Sequence, residues 1–160
     1  MEEGGAGLEP VSNLARARLA EFDPEAIEEA RHFRDEVTLY LRPGHFLPAC
    51  RFLRDELGYS FLADVTALDL YPQEPRFEVV YHLLAMGRSE RLRLKVRVGG
   101  ENPRCASAVP VWPAANAFER EVFDLFGIVF DGHPFLRRLL LPEDWEGYPL
   151  RKDYPVGGYH

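Results

Sequence analysis

Cysteine is scarce. Cys50 and Cys105 are the only two among 160 residues. An iron–sulfur cluster normally takes four thiolates, and a structural zinc site takes four nitrogen or sulfur ligands, so neither is expected here. The start, MEEGGAG, is acidic and lacks the positive-then-apolar pattern of an export signal, so both cysteines are read as reduced, half-buried thiols. Basic charge is also short: the formal net charge is −7. That balance argues against non-specific nucleic-acid binding, which needs clustered Lys and Arg. No apolar run approaches the ~18 residues of a membrane span. The chain has no GxGxxG or GxxxxGK[ST] phosphate loop and no GxSxG elbow. There is no internal repeat and no low-complexity run.

What remains is an ordinary globular composition, 46% hydrophobic and 28% charged, at a length that suits one domain. The acidic excess lies in residues 1–80, and the second half is nearly balanced. The first dozen residues are expected to fray. Residues 13–22 read as a helix. The stretch AIEEARHF favours helix by propensity, although a turn at Arg34-Asp35 would make it a hairpin with the β-branched and aromatic run Val37 to Leu41. Helical spacing of Phe46, Leu47, Cys50, Leu53 and Leu57 predicts a helix over 45–57, stopped by Gly58. Residues 59–71, 76–85 and 91–98 read as strands. In the last, Leu92, Leu94, Val96 and Val98 alternate with Arg91, Arg93, Lys95 and Arg97, the pattern of a half-buried antiparallel strand. The basic stripe is taken as a solvated face, with a docking patch as the lesser reading. Residues 99–110 read as a loop, and 114–126 as a helix with Pro113 at its start and Gly127 past its end. These elements give an α+β fold: a mostly antiparallel sheet with helices packed on one side. Residues 1–140 form that domain. Residues 141–160, rich in proline and glycine, form an extended C-terminal arm.

At ~100° per residue, Phe118, Val122 and Phe126 share one arc of the 114–126 helix. Glu119 falls between the phenylalanines, so it needs a partner. Arg137 or Arg138 is the expected one. Arg120 and Asp124, four apart, are read as a surface pair. Glu119 and Glu121 point away from each other, which excludes a shared catalytic site. His133, between Gly132 and Pro134, is read as a turn residue that caps backbone groups, since no second ligand stands at metal spacing. A hydrolase using His133 with Asp131 or Glu119 is a rival that no nucleophile motif supports.

From Glu119 the run EREVFDLFGIVFDGHPFLRRLLLPEDWEGYPLRKDYP resembles the C subunit of proton-pumping NADH–quinone oxidoreductase, respiratory complex I. Glu119, Arg120, Glu121, Asp124, Leu125, Phe126, His133, Arg137, Leu139 and Leu140 fill the family's pattern in register. Upstream, Asp64-Val65-Thr66-Ala67 with Asp69, and Arg76 to Leu83, fit as well, so the resemblance covers roughly residues 40–155. One departure is Ala117, which follows Asn116 where the family commonly has Trp. The resemblance implies a structural component of the hydrophilic arm, docked beside the D subunit and other hydrophilic-arm subunits near the quinone-reducing end. It would lie peripherally on the cytoplasmic side of the inner membrane and hold no cofactor, with flavin and iron–sulfur clusters in partner subunits. The equivalent subunit of an energy-converting hydrogenase or formate hydrogenlyase is the alternative. An extended aromatic arm fits partner wrapping: Trp145, Tyr148 and Tyr154 would be anchors, and Arg151 and Lys152, beside Asp153, would meet acidic groups. Folding of the arm back onto its own sheet is the other outcome.

Overall fold

The structure is a computed structural model and describes residues 11–158. The expectation of a frayed start falls almost wholly outside the described residues. The chain runs α1 (Val11–Phe22), β1 (Ile27–Phe33), β2 (Glu36–Leu41), a 3-10 turn at Pro43–His45, α2 (Phe46–Asp55), β3 (Phe61–Asp69), β4 (Phe77–Ala85), β5 (Glu90–Val98), β6 (Arg104–Ala106), α3 (Ala115–Phe126) and β7 (Val129–Asp131). Five strands form one sheet in the order β1-β2-β5-β4-β3. All neighbours are antiparallel except β2 and β5. The expected α+β class holds, with one parallel pair that alternation along a strand cannot reveal.

Alternation sorts the side chains of β4 and β5 between two faces. Phe77, Val79, Tyr81 and Leu83 on β4, with Leu92, Leu94, Val96 and Val98 on β5, are buried. They join Leu19, Phe46, Cys50 and Leu53 from α1 and α2 in one core. The Phe46 and Tyr81 rings lie 4.9 Å apart, which fixes α2 under β4. Helix α3 packs beside β3.

Two local readings need correction. AIEEARHF takes the second of its two readings and not the helix that propensity favours: Ile27–Phe33 is the edge strand of a hairpin, turned at Arg34 with φ 58° as the Arg34-Asp35 turn allowed. Its helix formers were overruled because β2 offers backbone partners along β1, interrupted only by an irregularity at Glu28. The 99–110 loop also contains β6, which pairs in parallel with β7 to form a small second sheet. A three-residue strand carries too few side chains to show a period. Helix α3 lies where Pro113 and Gly127 bracket it, and Gly127 is left-handed at φ 76°. Among residues 141–158 there is no helix or strand.

Candidate interaction site

The C-terminal arm is assembled on the last turn of α3, because a helix end leaves carbonyls without partners. Gly127 N–H closes onto the Phe123 carbonyl at 2.8 Å, and Leu150 N–H donates to the Leu125 carbonyl at 3.0 Å. Arg138 Nη1 donates to the Asp124 carbonyl at 3.1 Å, and Arg151 Nε to the Phe126 carbonyl at 2.6 Å. Three of the four terminal carbonyls of α3 are therefore satisfied by the segment after Leu136. Two of the donors are cationic side chains, placed at the negative end of the helix dipole.

Asp124 anchors the start of the arm. Its Oδ2 accepts the backbone N–H groups of Leu139, Leu140 and Leu141 at 3.1, 2.6 and 3.0 Å. Its Oδ1 meets Arg138 Nη1 at 3.0 Å. The carboxyl is 0% exposed. Burial works against its charge, yet these bonds outweigh burial and hold it below the usual carboxylate range. Arg138 continues to the Gly147 carbonyl at 2.9 Å. Arg120 donates to the carbonyls of Arg137 and Arg138, at 3.1 Å each. The expected Arg120–Asp124 surface pair is thus incorrect: both side chains turn to the arm, which helical spacing alone could not show.

Glu119 is also placed differently from expectation. It is fully buried, but its partners are Ser107 Oγ and Ala108 N–H, each at 2.6 Å, and neither arginine. Burial pushes its carboxyl up to about 7, against the lowering effect of those two bonds. Ser107 is a residue that sequence reasoning missed; it comes from the unrecognised β6 strand end, and no local pattern marks it. His133 is the turn cap it was expected to be. Nδ1 accepts the Phe135 N–H at 2.9 Å, so Nε2 carries the proton and donates to the Asn116 carbonyl at 2.9 Å. Asp131 binds Arg104. His133, Asp131 and Glu119 therefore have separate partners and do not form a hydrolytic group.

Further along, the arm reaches the far end of β3. Arg76 grips Asp69 with two bonds of 2.8 Å and Asp153 with a third of 2.8 Å. Asp69 also accepts the N–H of Lys152 at 2.7 Å and of Tyr71 at 3.0 Å. Burial raises the Asp69 carboxyl, but the Arg76 bonds and the two N–H groups prevail and bring it to about 2. Arg151 stacks between Phe77 and Tyr148, 5.4 and 4.8 Å from the ring centres. Tyr148 packs on Phe123 as well. Tyr154 is half-buried, and its N–H donates to the Arg151 carbonyl. The base of the arm is therefore fastened to its own domain.

Several apolar side chains on the arm and on the segment that leads into it are not. Phe135, Leu139, Leu140, Trp145 and Leu150 are between 40 and 59% exposed. Arg137 lies over Phe135, 4.9 Å from the ring centre. Glu121 is half-exposed, and the Lys152 side chain faces solvent. Among the described residues no group of three or more His, Cys, Asp or Glu side chains could hold a metal ion. Both cysteines are buried and free, more enclosed than expected; burial pushes the Cys105 thiol up to about 12. No helix among the described residues is long and apolar enough to cross a membrane.

The chain is thus an α+β domain that straps a proline-rich arm to one helix end and leaves several apolar side chains of that segment outward. The family described as the respiratory-chain NADH dehydrogenase 30 kDa subunit matches residues 39–160. The chain is 50% identical over 143 residues to the C subunit of NADH-quinone oxidoreductase from Roseiflexus castenholzii, covering 88% of this chain and 82% of that one. It is 43% identical over 147 residues to the same subunit of Geotalea uraniireducens, covering 92 and 90%. A trypsin-resistant fragment of Nqo5 is similar in structure, with a TM-score of 0.64 and 35% identity, covering 79% of this chain and 96% of the fragment. A chain of the membrane-bound sulfane sulfur reductase, an archaeal respiratory membrane complex, superposes with a TM-score of 0.77 at 26% identity, covering 90 and 85%. This chain belongs to the respiratory-chain NADH dehydrogenase 30 kDa subunit family, the C subunits of NADH–quinone oxidoreductase.

Proposed function

We propose that the chain is a cofactor-free structural component of the hydrophilic arm of proton-pumping NADH–quinone oxidoreductase. It docks beside the D subunit, peripherally on the cytoplasmic side of the inner membrane, and supports electron transfer from NADH to quinone. The flavin and iron–sulfur clusters belong to partner subunits. One observation carries this reading: the arm is fixed at Asp124, Phe126 and Asp69, yet Leu139, Leu140, Trp145 and Leu150 point outward. A rigid base with an exposed apolar row is pre-organised for association, since little ordering entropy is left to lose on binding. Trp145 and the leucines supply desolvating anchors.

The corresponding subunit of an energy-converting hydrogenase or related complex is the second reading. The sulfane sulfur reductase similarity favours it on fold, whereas the 50% identity to an NADH-quinone oxidoreductase chain weighs against it. Tagged full-length chain, expressed with its neighbouring subunits, tests both. Recovery of the D subunit with wild type is expected, and Leu140→Asp with Trp145→Ala should lose it while melting as wild type does. Equal recovery with both forms overturns the docking role of the arm. Recovery of hydrogenase subunits instead establishes the second reading.

A further inference from the structure

The outer face of the five-stranded sheet, opposite the helices, presents the basic stripe of β5. Three of its four cations are already used. Arg93 pairs with Glu36 at 2.8 Å, Lys95 with Glu78 at 3.1 Å, and Arg97 with Glu28 at 3.2 Å and with Glu29. Arg97, Arg31 and Lys95 also close over the Tyr40 ring, which is 1% exposed although it lies on this face. Most of the stripe is therefore an internal charge ladder with little left for a partner. The exception is Arg91. It is exposed and, among the described residues, within ion-pair distance of no carboxylate; Glu36, which Arg93 binds, feels its charge only at longer range.

Arg91 stands at the rim of a groove of about 380 Å³. Register explains what lines it: Phe61 on β3 is opposite Leu84 on β4, which is opposite Arg91 on β5. One row along, His82 is opposite Arg93. Phe61, Ala63 and Leu84 make an apolar floor, and Phe61 is 46% exposed. His82 is half-buried at the side. An exposed cation outside any ion pair, beside an uncovered aromatic floor, is complementary to a ligand that carries a carboxylate and an apolar group together. Besides Arg91 the groove is lined by the Arg93–Glu36 ion pair, whose charges offset each other, and it has no converging set of buried donors. That suits a side chain on an otherwise anchored segment better than a small anion that must be held by several bonds at once.

We propose that this groove receives an acidic segment of another protein of the assembly, with a carboxylate on Arg91 and an adjacent apolar side chain on Phe61, Ala63 and Leu84. The site is on the face opposite the helices and is independent of the C-terminal arm, so it would give this chain a second contact in the assembly. The inference rests on the reading that the chain functions within a multi-subunit complex.

Carbodiimide couples an amine to a carboxylate in contact and leaves a guanidinium unreacted, so Arg91→Lys places a reporter at the site. The purified complex carrying this substitution is treated with carbodiimide and mapped by peptide mass spectrometry. The expected product joins residue 91 to an Asp or Glu of a different protein of the complex and is absent from wild type. In a parallel arm, Arg91→Glu should lower the fraction of chain retained in the complex after a moderate salt wash by at least threefold, with the melting temperature of the chain alone unchanged. Coupling only to this chain's own Glu36, coupling to a second copy, or no coupling together with wild-type retention of Arg91→Glu would each overturn the proposal. If wild type itself recovers no partner protein, the reading of the chain as an assembly subunit fails and this one with it. If wild type assembles and only the Arg91 variants behave neutrally, the groove alone is refuted.

Discussion

Arg138 and Asp124 form an ion pair of 3.0 Å, with the arginine side chain 9% exposed and the carboxyl fully enclosed. The pair is the point where the helix that ends the domain meets the arm that leaves it. Asp124 Oδ2 gathers three successive N–H groups there, so a single carboxylate sets the direction of residues 137–141.

Removing that carboxylate leaves a buried guanidinium without its counter-charge and three N–H groups without partners. Asp124→Ala should destabilise the chain by about 3–5 kcal/mol, as breaking a buried pair from one side does. Urea unfolding followed by fluorescence measures this. Trypsin should also cut at Arg137 and Arg138 much faster than in wild type. A loss under about 1 kcal/mol with unchanged cleavage would show that Asp124 is not the anchor.

Gly127 has two reasons to be glycine. Its φ is +76°, and a Cβ there would stand 2.7 Å from the Tyr148 ring and from Arg151 Nη2. Gly127→Ala should cost about 2 kcal/mol, from the left-handed backbone and displacement of the ring. The melting temperature should fall by roughly 4–8 °C at this chain length. Because Tyr148 must move, cleavage after Arg151 should accelerate with it.

Asp69 is held at about 2 in the fold against an ordinary value of 3.8. A lowered carboxylate stabilises the fold above its unfolded pKa and loses that contribution as pH falls through the folded one. About 2 kcal/mol should therefore disappear between about pH 4 and pH 2. Asp69→Asn should flatten that part of the stability curve and release the arm at Lys152 even at about pH 7.

Glu119 behaves in the opposite sense. Its folded value of about 7 lies above the ordinary 4.5, so its contribution is complete below about pH 4.5 and is lost as pH rises to about 7. The loss should be about 3 kcal/mol. Glu119→Gln keeps the shape without the charge and should remove this slope, leaving the variant at least as stable as wild type at about pH 8. Chemical denaturation at a series of pH values distinguishes the two curves.

Much of this was legible before folding. Alternation along 91–98 placed four aliphatic side chains inward and four cations outward, and the structure agrees, because a strand's period of two is written in consecutive residues. Pro113 and Gly127 marked α3 by their own backbone restrictions. His133 was recognisable as a cap from its two neighbours. The candidate site was only half legible. Glu119 was correctly read as sitting on the apolar arc, but its partners Ser107 and Ala108 arrive through the β6–β7 pairing, which no short-range pattern announced. Asp124 looked like a surface residue because the helical wheel contains only the helix. The arm that buries it comes from beyond residue 136.

By itself, then, the sequence determined which side chains of 76–85 and 91–98 face inward, where α3 begins and ends, and that residues 141–158 form no regular element, since each follows from the geometry and propensity of near neighbours. Only the tertiary structure decided that AIEEARHF is a strand, that β2 and β5 run parallel, that three cations of the basic stripe are already paired while Arg91 stands outside any ion pair, and that the arm closes the end of α3. Apart from the local β1–β2 hairpin, those outcomes depend on groups far apart along the chain. Their free energies come from hydrogen bonds, burial and charge pairing that exist only once the distant partner is in place.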